Sequence, residues 1–149
     1  MSVTRMDLLA FLRRERYAVL ATASPEGQPQ AALVGIAIND RFELIFDTLQ
    51  TTRKAANIRQ NPCVAFVIGP TDPRAVCTVQ YEGIADEPTG AELQELLARY
   101  YETFPDGPAR RNWPGLMYVR VKPLWIRYSN YALDPPEIVE FRSADFGSR

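Results

Sequence analysis

Between residues 4 and 15 apolar side chains recur at helical spacing: Met6, Leu8, Leu9 and Leu12, with Phe11 widening the stripe. Thr4, followed three residues later by Asp7, resembles a capping box, so the pattern predicts a helix over 4–15. The period then changes. Tyr17 to Ala23 reads as a strand, and Ser24-Pro25-Glu26-Gly27-Gln28-Pro29 breaks it with turn residues. Gln30 to Ile38 predicts a second strand, Asn39-Asp40 a two-residue turn, and Phe42 to Thr48 a third strand, the three forming an antiparallel meander. Thr51 and Thr52 open a short helix of good helix formers, which Asn61-Pro62 stops. Cys63 to Ile68 is a fourth strand, residues 69–73 a loop, and Ala75 to Ala85 a long fifth strand. Thr89 to Phe104 reads as a helix with Leu93, Leu96, Leu97, Tyr100 and Tyr101 on its apolar side. Glu92, Glu95 and Glu102 fall on an outward, solvated side. Pro105-Asp106-Gly107-Pro108 ends it. Leu116 to Tyr128 is the sixth strand, with Met117, Val119 and Val121 alternating with polar neighbours. A tail follows, loosely ordered from about Pro135, with a short apolar stretch at Ile138-Val139-Glu140-Phe141.

Six strands with short turns and few helices predict a mainly β (α+β) fold: an antiparallel barrel with peripheral helices, in one domain spanning 1–149. Closing the sheet removes exposed edge strands.

Composition narrows the chemistry. The apolar share of 46% and the charged share of 23% are ordinary for a soluble globular domain, and a net charge of −1 gives no case for nucleic acid. Histidine is absent, which removes Ser-His-Asp and Cys-His triads, His-held metals and a proximal His for haem. Cys63 and Cys77 fall inside apolar strands and read as buried free thiols; two cysteines alone make no four-ligand zinc site, and no metal site is expected. The N-terminus lacks the apolar core of a signal peptide, and no run approaches the ~20 apolar residues of a membrane helix, so a cytoplasmic protein is expected.

The chemically informative place is the start of the short middle helix. A helix N-terminus offers free N–H groups and partial positive charge, which suits phosphate. Arg53 and Lys54 in that first turn oppose the helix dipole and point to an anion, with Thr51 and Thr52 as possible hydroxyl partners. The other reading is a solvated basic helix face. In the second strand, Ala32 and Gly35 are small enough to let a flat ring lie near the backbone; tight packing under a helix is the alternative.

Phe46-Asp47-Thr48 through Thr52-Arg53-Lys54 to Asn61-Pro62-Cys63-Val64-Ala65 resembles the FMN-binding split-barrel family, also called pyridoxamine-phosphate-oxidase-like. Ala21 to Pro29 looks like its first hairpin and Val79 to Ala85 like its long central strand, so the likeness runs from about Tyr17 to Tyr128. The resemblance implies a six-stranded split β-barrel and an FMN phosphate held by Arg53 and Lys54 with a hydroxyl at Thr52. It places Asp47 and Thr48 beside the flavin, and Ala32, Leu33 and Val34 along the ring, largely through backbone. Gln80, or its strand neighbour Thr78, would contact the cofactor, and Trp125 in the aromatic last strand is a further candidate. It also implies a homodimer with each flavin at the subunit interface, acting as an oxidoreductase on a small-molecule substrate or electron donor. No catalytic acid or base is named by these residues.

Two features depart from the true oxidases and point away from pyridoxamine phosphate as substrate. The segment from Lys122 to Tyr131 arranges its Trp and Arg differently, and Asp47 stands where an aromatic residue is usual. Alternatives within the fold are a deazaflavin-dependent reductase and a flavin-binding stress-response protein without turnover. Haem binding, known among relatives, lacks a histidine here.

Overall fold

A computed structural model describes residues 2–147; Met1, Ser148 and Arg149 lie outside the described residues. Helix α1 (Arg5–Arg14) starts where the pattern places it: the Thr4 side chain accepts from the Asp7 amide and Asp7 accepts from the Thr4 amide. Its stripe, Leu8, Leu9, Phe11 and Leu12, is buried against the barrel core, where the Phe11 ring meets Tyr128 edge-on at 5.8 Å.

Strands β1 (Tyr17–Ala23), β2 (Pro29–Gly35), β3 (Ala37–Ile38) and β4 (Leu44–Leu49) precede helix α2 (Arg53–Gln60). Then come β5 (Cys63–Ile68), β6 (Cys77–Asp86), helices α3 (Gly90–Thr103) and α4 (Gly107–Arg110), β7 (Leu116–Asn130) and β8 (Glu137–Arg142). All pairings are antiparallel, in the order β2-β1-β5-β6-β7-β4-β3, with β8 on β7. The second predicted strand is interrupted at Ile36: its first part pairs with β1 and its second with β4. That segment therefore joins the two ends of the strand path, and the sheet curls into a split barrel. The predicted tail contributes β8, so the sheet has eight strands where the sequence pattern gives six.

Strand β7 serves two neighbours on one edge, β4 through residues 116–121 and β8 through residues 125–130. Between these stretches β6 and β7 shift register at Glu82/Gly83, beside Pro123, which has no N–H to give. Gly83 is required here by space: a Cβ would stand 2.4 Å from the Lys122 carbonyl oxygen.

The main core fills the barrel, with Tyr81 wholly buried and its hydroxyl shared between the carbonyls of Phe42 (2.7 Å) and Val121 (3.0 Å). A smaller cluster, Ala37, Ile45, Leu96, Leu97, Tyr100 and Phe104, seats α3 on the outside of β3 and β4. Arg120 is buried beneath α3, donating to both oxygens of Asp86 (2.9 and 2.6 Å) and to Glu92 (2.8 Å). Glu92 is therefore an ion-pair partner, not a member of a solvated face, because the first turn of α3 sits over β7.

Candidate functional site

Strand β4 delivers the chain into α2. Thr52 is the N-cap: its oxygen accepts from the Ala55 amide (3.3 Å) and its hydroxyl donates to the Leu49 carbonyl (2.9 Å). With that hydrogen spent, the 3.1 Å contact between Thr48 and Thr52 is a bond donated by Thr48. The two hydroxyls thus fix the turn that aims α2. Ala55 and Ile58 anchor the helix in the core, and Asn57 donates to the inward-pointing Thr22 of β1 at 3.0 Å.

Arg53 and Lys54 occupy the first two helical positions, whose amides have no intrahelical acceptor. The first turn holds no acidic residue. Neither side chain has an ion pair or hydrogen bond among the described residues, whereas Arg13, Arg41, Arg59, Arg74, Arg110, Arg120 and Arg127 are each paired with a carboxylate.

Asp47 and Thr48 point to opposite faces of β4, as adjacent strand residues must. Asp47 turns toward α3 and α4, where Arg110 Nε meets it at 3.3 Å and Arg110 continues to Asp106 (2.7 Å) and the Tyr100 hydroxyl (3.5 Å). Burial, then the charge of Asp47, pushes the Tyr100 phenol up; burial and the 3.0 Å bond with Tyr101 push Tyr118 up. These phenols remain protonated at neutral pH and can donate hydrogen bonds.

Of the β2 candidates, Val34 is buried inward, Ala32 is half-buried beside Leu20, and Leu33 faces out with 69% of its surface exposed. The ring at Gly35 is this chain's own Phe104, whose Cζ lies 2.8 Å from where a Cβ would be. Tight packing under α3 therefore accounts for that glycine.

Gln80 and Trp125 come together on the outer face of the sheet. They line a cleft of about 340 Å³ with Val19, Ala21, Ala65, Val67 and Glu82. Thr78 shares the outward side of β6 with Gln80. Arg53 and Lys54 are not among the residues of that cleft.

The cross-strand register explains the apolar wall. Leu33, Val19, Val67 and Gln80 lie side by side across β2, β1, β5 and β6, as do Ala31, Ala21, Ala65 and Glu82. Tyr17, Val19, Leu33 and Val67 are 41–69% exposed. Cys63 belongs to the same outward row and is exposed, not buried, because the alternation of β5 sends 63, 65 and 67 outward. The sequence signal for this face is a pair of strands apolar on both sides, Tyr17–Ala23 and Cys63–Ile68.

The sequence model of pyridoxamine 5'-phosphate oxidase matches residues 6–130. The chain belongs to this family.

Proteins of known structure share the fold. A haem binding protein from Mycobacterium smegmatis superposes with a TM-score of 0.77 at 17% identity, over 93% of this chain and 58% of that one. HutZ, a haem storage protein from Vibrio cholerae, gives 0.71 at 18% identity over 83% and 91%. A pyridoxamine 5'-phosphate oxidase-related, FMN binding protein from Nostoc punctiforme gives 0.71 at 17% identity over 95% and 93%. Comparison with curated proteins gives no match. Among the described residues no group of three His, Cys, Asp or Glu stands together to hold a metal, and no helix is long and apolar enough to cross a membrane.

Proposed function

We propose that this member of the pyridoxamine 5'-phosphate oxidase family binds FMN between two copies of the chain and acts as a flavin-dependent oxidoreductase. One observation carries the reading: Arg53 and Lys54, unpaired, at the positive end of α2. Two cations there cost the helix about 0.3–1 kcal/mol each, and a bound phosphate reverses the sign. The residues fit the cofactor. Arg53, Lys54 and the two free amides would hold the phosphate, with the Thr48–Thr52 pair fixing their turn. The β2 backbone around Ala32, Leu33 and Val34 would lie along the ring. Asp47 would act through Arg110, which ties α4 to β4.

Gln80 and Trp125 line a different cleft from the α2 terminus, which supports a site completed by a second copy docked on the bare sheet face. That face, with Tyr17, Val19, Leu33 and Val67 exposed, suits a homodimer contact. Bound FMN would supply hydride or electron chemistry. The chain supplies orientation, a ring-edge partner in Gln80, which both donates and accepts, and an apolar wall that excludes water.

The test is the visible spectrum of the purified protein, with mass identification of what denaturation releases. A flavin spectrum and released FMN support the reading. A Soret band would favour the haem named for two relatives of this fold, and a protein that stays colourless with added FMN would overturn flavin binding.

A further inference from the structure

We propose that the cleft between α1, β3 and α3 binds the phosphate group of a small molecule. It measures about 400 Å³, the size of a small-ligand site, and its lining includes Arg13, Arg16, Arg99 and Glu102, with the Asp40 carboxylate beside it on Arg13 and 3.9 Å from Arg99. Arg16 is fixed over the Phe104 ring, 5.3 Å from its centroid, and donates to the Thr103 carbonyl. Arg13 Nη2 reaches Asp40 at 2.5 Å, and Arg99 Nη1 reaches Glu102 at 3.3 Å. Each guanidinium carries five N–H donors, more than these contacts use.

The backbone adds a donor. Asn39 N–H bonds the Glu43 carbonyl at 3.1 Å, which makes 39 and 43 a hydrogen-bonded pair. By antiparallel alternation Ile38 and Leu44 are the non-bonded pair, and the N–H and C=O of Ile38 turn away from β4. Strand β3 ends the strand path, so no further strand takes them, and Ile38 lines the cleft. Three guanidinium groups outnumber the two carboxylates, Asp40 and Glu102, and that surplus charge beside an amide with no strand partner suits a tetrahedral phosphate with three terminal oxygens better than a carboxylate with two. None of these residues belongs to the α2 terminus, so the site stands whether or not the chain binds a flavin.

The experiment uses the full chain carrying Arg53→Ala and Lys54→Ala, which removes the other candidate phosphate site. Inorganic phosphate is titrated calorimetrically and by thermal shift against chloride at matched ionic strength, which cancels simple screening. Saturable binding by phosphate and not chloride is expected, with Arg99→Gln weakening it at least about tenfold and Arg13→Gln with Arg99→Gln abolishing it. No saturable phosphate response, or a response that survives the double arginine change, overturns the proposal. Should the loss of the Arg13–Asp40 pair unfold the chain, Arg99→Gln alone decides, because its partners lie at 3.3 and 3.9 Å and are exposed.

Discussion

Replacing Arg53 and Lys54 together by alanine has two expected effects of opposite sign. In the free protein neither side chain has a partner among the described residues, and both oppose the α2 dipole. Removing them relieves about 0.3–1 kcal/mol each, and alanine is the best helix former. The Thr52 cap and the buried Ala55 and Ile58 are untouched. Unfolding in urea should therefore show an unchanged or slightly higher midpoint with the same slope. In the complex, each cation makes a charge-assisted bond to phosphate worth about 1.5–3 kcal/mol. Two such bonds amount to at least about 3 kcal/mol, or roughly a hundredfold in Kd. Titrating FMN by quenching of its fluorescence, beside the urea curves, reads both effects on one preparation. Weakening of less than about tenfold would refute the phosphate assignment. A fall in both affinity and stability would show instead that the pair holds the fold.

Three further outcomes follow from the geometry. Gly83→Ala should destabilise by about 3 kcal/mol or more, since its Cβ would stand 2.4 Å from a backbone oxygen at the β6–β7 bulge. Gly90→Ala, with φ +60° but open space, should cost only about 1–2 kcal/mol; equal costs in paired urea curves would sink the steric account. Val19→Glu, between Leu33 and Val67 on the bare face, should give a monomer by light scattering and lose FMN. An unchanged dimer would place the interface elsewhere. The bond from Arg13 holds the Asp40 carboxyl below its usual range. Its folded pKa thus lies below the unfolded value of about 4, so its contribution is complete above that pH and is lost as pH falls through the folded value. Asp40→Asn should lower stability at neutral pH and lose its effect at the acid end of a stability–pH series; a constant difference at all pH would contradict this.

The strands were legible because their local pattern and their turns agree. Turn residues follow Tyr17–Ala23 and flank Cys63–Ile68 on both sides, and the structure has the same bounds. The break at Ile36 was not legible, since the run from Gln30 to Ile38 has no turn residue between Gly35 and Ile38. The change of partner from β1 to β4 is a tertiary event with no local cost. Strand β8 is short and follows two prolines, so its pairing with β7 outweighs weak local propensity. Arg120 reads as a solvated strand residue until α3 covers it, and only then does its pairing with Asp86 and Glu92 become a requirement of burial.

The same division runs through the candidate site. A charge that opposes a helix dipole is a conflict within four residues, so Arg53 and Lys54 stand out in sequence. The apolar face is only half legible: Tyr17–Ala23 and Cys63–Ile68 read as apolar on both sides, but alternation alone never says which side is inside. In β1 both faces are apolar, with Ala18 and Leu20 buried inward. Thr22, its polar residue near the end, points inward to Asn57, while Tyr17, Val19, Ala21 and Ala23 make up the outward row. A strand apolar on both faces is suited to having its outside covered too. In the proposed two-fold contact the cover is the same patch of a second copy, so a substitution there enters twice. Val19→Glu would then bring two like charges into one apolar interface, where neither finds a partner. The same change on a face left to solvent would cost almost nothing.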